Sequence, residues 1–84
     1  MQENSQPLAI LYGYSSKRNE MSFIGRKGVI TLSGGAATIK KILCHCNGMN
    51  SVRDIVNKMS PVDSDEIFEL LTLCEAEGII RDTR

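Results

Sequence analysis

An α+β fold, with a three-stranded antiparallel sheet followed by three helices, is what this sequence predicts. Three observations carry that prediction. Three short runs rich in β-forming residues occupy the amino-terminal part of the chain, up to Leu32. After Ser33–Gly34–Gly35 the apolar spacing changes from two to about 3.6 residues. And 84 residues make one domain, with a core too thin for a cavity walled by several layers.

The first run, Leu8 to Tyr14 (LAILYGY), reads as a strand in which Gly13 supplies a bulge. Residues 1–7 before it are mostly polar and are expected to be disordered. Ser15 to Glu20 reads as a polar loop, and Met21 to Gly25 as the second strand. Arg26–Lys27–Gly28 is a turn, because glycine accepts the positive φ of a tight hairpin. Val29 to Leu32 is β-branched and apolar, the third strand.

In the helical part, Ala36, Ile39, Ile42 or Leu43, and Cys46 share one face of a helix over Ala36 to Cys46, with Gly48 suited to its carboxyl-terminal cap. Ser51 and Asp54 have capping-box spacing ahead of Val52, Ile55, Val56 and Met59, and Ser60–Pro61 stops that second helix. Asp63 and Glu66 repeat the box for a third helix, whose Ile67, Leu70, Leu71 and Cys74 make an apolar stripe flanked by Phe68. Gly78 ends it, Ile79–Ile80 folds back onto the core, and residues 81–84 form a polar tail. The domain therefore runs over residues 8–80. The second and third helices have the spacing of a helix-turn-helix, so the architecture is of winged helix-turn-helix type.

Composition narrows the function. Ten basic side chains balance ten acidic ones, which counts against a protein built mainly to grip phosphates. The aromatics Tyr12, Tyr14, Phe23 and Phe68 are too few for a single-strand stacking platform. Three cysteines, Cys44, Cys46 and Cys74, do not make a secreted disulfide framework, and a reducing cytoplasm suits them. No apolar run approaches the roughly 18 residues of a membrane span, and no signal-peptide pattern opens the chain.

Chemistry-bearing clusters are equally thin. Cys44–His45–Cys46 diverge by about 100° per residue on a helix, so they cannot converge on one metal, and no metal or other cofactor is expected. The same divergence separates His45 from both thiols as a base, so no catalytic residue is assigned and the chain is not expected to be an enzyme. Ser33–Gly34–Gly35 lacks the lysine and spacing of a phosphate loop. Asp63, Asp65, Glu66 and Glu69 suit a helix amino terminus but would repel DNA where a recognition helix reads bases. A winged helix-turn-helix DNA-binding module, with Lys17, Arg18, Arg26 and Lys27 placed to touch phosphate, is the alternative reading. What remains is the third strand beside the third helix. An exposed edge strand can pair with an extended peptide, and Val29, Ile30, Thr31 and Leu32 with Phe68, Leu71 and Cys74 form a candidate groove.

Several stretches carry a family pattern. They are Leu32–Ser33–Gly34–Gly35–Ala36 to Ile42–Leu43, Asn47–Gly48–Met49–Asn50–Ser51–Val52–Arg53–Asp54–Ile55–Val56, Ile67–Phe68–Glu69–Leu70–Leu71, and Leu73–Cys74–Glu75–Ala76–Glu77–Gly78–Ile79–Ile80. Over residues 8–80 the chain resembles the PqqD-like RiPP recognition elements, which serve the biosynthesis of ribosomally made peptide natural products such as bacteriocins. It departs from them in Cys44–His45–Cys46 and in a more basic Ser15–Glu20 segment. The resemblance implies that the chain, standalone or as part of a larger enzyme, binds the leader of a precursor peptide and presents it to a peptide-modifying enzyme. By position, Gly28, Val29, Ile30, Thr31 and Leu32 would supply backbone pairing, and Ile67, Phe68, Leu71, Cys74 and Glu75 would line the groove. An open edge can also self-pair, which leaves a homodimer open.

Overall fold

The computed structural model describes residues 1–26 and 28–84, and the expected role of Lys27 lies outside them. In chain order the elements are β1 (Pro7–Ala9), β2 (Gly13–Lys17), β3 (Glu20–Gly25), β4 (Gly28–Ser33), α1 (Ala36–His45), α2 (Val52–Lys58), α3 (Ser64–Ala76) and β5 (Ile80–Asp82). Strands β2-β3-β4 form the antiparallel three-stranded sheet, and β1 pairs with β5 in a separate ribbon. The α+β class, the sheet and the three helices are as the sequence predicts.

Alternation on β3 and β4 builds the core. Met21 and Phe23 on β3 and Leu32 on β4 face inward, while Ile24 and Val29, paired across the strands, face out. Ile39 and Ile42 of α1, Val52 and Ile55 of α2, and Ile67, Leu71 and Cys74 of α3 close over that face with Ile79 and Ile80. Burial of such side chains is worth about 1.5–3 kcal/mol each against exposure. Gly13 is required by close approach rather than by a bulge: a Cβ there would sit 2.6 Å from the Phe23 ring and 2.9 Å from Met21. The bulge falls later in β2, between Tyr14 and Lys17.

Local signals fix the helix ends. Ser51 and Asp54 make the full capping box of α2, each side chain accepting the other residue's N–H. Asp63 caps α3 by accepting from the Asp65 N–H at 2.9 Å, one residue earlier than a box with Glu66 requires. Gly78, at φ 76°, lets the Ile79 N–H return to the Cys74 carbonyl and the Gly78 N–H to that of Glu75, so the helix ends in a Schellman turn. Gly48 also has positive φ, but it lies past the end of α1 and donates to the Pro7 carbonyl instead.

Three expectations are corrected. The run Leu8 to Tyr14 is two strands, because the chain leaves the ribbon at Ile10 and Leu11, whose N–H groups both donate to the Ile79 carbonyl. The expected loop Ser15–Glu20 is mostly strand; only Arg18 and Asn19 turn, with Asn19 at φ 65°. Asn19 then accepts the Ala36 N–H through Oδ1 and starts α1. Residues 1–7 are not disordered, and the polar tail 81–84 helps to hold them. Ser5 is buried and its carbonyl accepts the Val52 N–H, Glu3 accepts that of Arg53, and the Thr83 N–H donates to Gln6. These are backbone bonds, which polar composition does not reveal.

Candidate peptide-binding edge and cleft

Strand β4 is an edge: among the described residues it pairs with β3 alone. Its register with β3 is unbroken from Glu20–Ser33 to Gly25–Gly28. The Gly34 N–H donates to the Asn19 carbonyl at 2.8 Å, which makes Asn19–Gly34 a hydrogen-bonded pair one step beyond the strands. Pair type alternates along an antiparallel ladder, so Met21–Leu32, Phe23–Ile30 and Gly25–Gly28 are hydrogen-bonded pairs too. Gly28, Ile30 and Leu32 therefore spend their main-chain groups on β3. Val29, Thr31 and Ser33 direct theirs outward. The expectation that all of Gly28 to Leu32 pair with a guest resolves into alternate residues, by the geometry of the ladder.

At one end this edge opens on a cleft of about 570 Å³. It is lined by Gly25, Arg26, Gly28, Val29 and Ile30 of the hairpin, by Ile10 and Leu11, and by Ala76, Glu77 and Gly78 at the end of α3. Ile10 is 46% exposed and Val29 63%, so the apolar surface here is open to water.

The helix residues expected to line the groove divide into two groups. Ile67, Leu71 and Cys74 are the inward stripe of α3, at most 1% exposed, and they support the wall rather than offer surface to a guest. Phe68 and Glu75 stand seven apart, on one flank of the helix. Glu75 lies 4.0 Å from the Met1 amino group, so this flank borders the amino-terminal segment. The opposite flank carries Glu66, Leu70, Leu73 and Glu77 at helical spacing, and Glu77 is the member that reaches the cleft. Leu73 is 41% exposed. The apolar stripe was legible in the sequence, but which flank turned toward the sheet was not. Glu77 was missed for that reason, and Ile10, Leu11 and Arg26 because they lie between strands, where the chain's path decides what they line.

The other candidates fall where their chemistry is weak. Cys44 is exposed, while Cys46 and Cys74 are buried. Burial first, then the neighbouring Cys74 and Cys44, pushes the Cys46 thiol up to about 12, and burial pushes Cys74 to about 11. Both stay protonated near neutrality, a poor state for a nucleophile or ligand. Among the described residues no group of three or more His, Cys, Asp or Glu side chains is placed to hold a metal ion. No helix among them is long and apolar enough to cross a membrane.

No family model matches the sequence, and no curated protein matches it. Among solved structures, the chain is similar to part of the heterocyclase TruD, with a TM-score of 0.69 and 18% sequence identity. The match covers 94% of this chain and spans 12% of that one. At this identity the likeness shows a shared fold.

Proposed function

We propose that this chain binds the leader of a ribosomally made precursor peptide by strand addition to β4 and presents it to a modifying enzyme. The observation that carries the reading is an uncharged, regular and unpaired edge strand opening on an apolar cleft. Val29, Thr31 and Ser33 offer main-chain donors and acceptors for affinity, and the cleft offers a pocket for side-chain selection. Two further lines support the reading: the resemblance to RiPP recognition elements, and the fold shared with a segment of the heterocyclase TruD. On this reading the chain binds and a partner enzyme performs the chemistry.

The DNA-binding alternative fares worse on the same surface. The exposed positions of α3 and its cap include Asp65, Glu66, Glu69 and Glu77, which face any phosphate backbone with like charge. The test is an NMR titration of the ¹⁵N-labelled chain with leader peptides encoded beside its gene, and separately with duplex DNA. Shifts confined to β4, Ile10–Leu11 and the end of α3 with a leader are the expected result. Shifts along α3 and the strand loops with DNA, and none with any leader, would overturn it.

A further inference from the structure

The geometry points to a cationic guest: an extended peptide that puts an apolar side chain into the cleft and a lysine or arginine, two positions away, against Glu77. This rests on the strand-addition reading and names the peptide chemistry the site selects.

The argument begins with a charge in an unfavourable place. A helix carboxyl terminus bears partial negative charge and favours cations, yet Glu77 caps α3 and Glu75 precedes it. From Asp63 to Gly78 the chain holds six carboxylates and no basic residue. Among the described residues no ion pair engages Glu77: the pairs are Arg53 with Glu3 and the Met1 amino group with Glu75. Glu77 lines the cleft beside the open edge instead. Glu66 repeats the acid on the same flank, beyond the apolar Leu70 and Leu73, so the flank reads acid, apolar, apolar, acid.

The edge completes the selection. Alternate residues of an added strand share a face, so a residue in the cleft and its second neighbour both turn toward α3. Among the described residues, Arg26 at the hairpin end of the same cleft is the cationic counterpart of Glu77. A guest cation is therefore favoured on the helix side, and an acidic guest residue there meets Glu77 directly.

Two synthetic strand peptides test this, Thr-Leu-Thr-Lys-Thr-Val-Thr and the same sequence with Glu for Lys, titrated into the full chain and followed by NMR. The lysine peptide should bind about tenfold more tightly at low salt, with the gap closing at high salt. Glu77→Gln should weaken its binding about three- to fivefold, and Arg26→Gln should tighten it slightly. Equal affinities, or tighter binding of the glutamate peptide, with both shifting the Val29, Thr31 and Ser33 amides, would overturn the charge inference and leave strand addition standing. If no strand peptide and no leader moves those amides, strand addition falls and the inference falls with it.

Discussion

The two edges of the three-stranded sheet are made of the same backbone but are treated differently. On β2 the register with β3 shifts between Tyr14 and Lys17, and Lys17 places a charge at the strand end. The Ser15 hydroxyl also bonds to the Lys17 carbonyl at 3.1 Å. Bulges and lysines are the usual devices that stop an edge from accepting another strand. On β4 neither is present: six residues run in unbroken register, and none is charged. The β1–β5 ribbon is closed by a third means, the chain's own backbone, since the Ala9 N–H donates to Cys46 and the Gly48 N–H to Pro7. A chain that blunts one edge and covers another has left β4 receptive, and β4 is the edge beside the cleft.

Four changes would break or sharpen that contrast. The largest effect belongs to the core under the cleft wall. Leu71→Ala should cost about 2–5 kcal/mol in denaturant unfolding while leaving guest affinity nearly unchanged where the variant is folded. A small stability loss with lost binding would mean that Leu71 touches the guest. Next come paired prolines on β4. Ile30→Pro removes a ladder bond and should destabilise the fold by about 1–3 kcal/mol more than Thr31→Pro, which removes an outward N–H and the Thr31 hydroxyl's bond to Ser22 but no ladder bond. Thr31→Pro should keep its circular dichroism and lose peptide binding at least about tenfold. Equal damage from both would contradict the ladder parity.

Away from either edge, Ser51→Ala should cost about 1 kcal/mol through the α2 cap and leave binding intact, as read by thermal melting beside a titration. The smallest effect is acid loosening of the covered ribbon. The Arg84 N–H, then the Gln6 N–H, hold the Asp82 carboxyl below the usual carboxylate range. A depressed carboxylate stabilises the fold above its unfolded value, near 4, and that contribution fades as pH falls through the folded value. Protection of the β1 and β5 amides, measured relative to their intrinsic exchange rates, should therefore fall in acid in the parent chain, and Asp82→Asn should flatten that dependence.

The sequence was a good guide wherever one residue's own chemistry decides the outcome. Ser51 with Asp54, and Gly78 after α3, behave as their spacing predicts. It failed where a partner decides. Nothing in Leu8 to Tyr14 says that the chain changes partner strand at Ile10, and nothing in Gln2 to Gln6 shows backbone groups bonded to α2 and the carboxyl-terminal segment. Asn19 was the readable signal that went unused, because asparagine tolerates the left-handed conformation a tight turn needs. The candidate site shows the same division. Edge strand and apolar stripe follow from pattern, whereas the choice of the Glu77 flank over the Phe68 flank depends on how α3 packs.

The central claim is that Val29, Thr31 and Ser33 hold open main-chain groups ready for a guest. Residue-resolved amide hydrogen exchange tests it most directly, in the free chain and with a leader peptide added. The account predicts fast exchange at Val29, Thr31 and Ser33 beside slow exchange at Ile30 and Leu32, with the fast set slowing when the peptide is present. Slow exchange at all five in the free chain, or a peptide that protects none of the outward three, would contradict it.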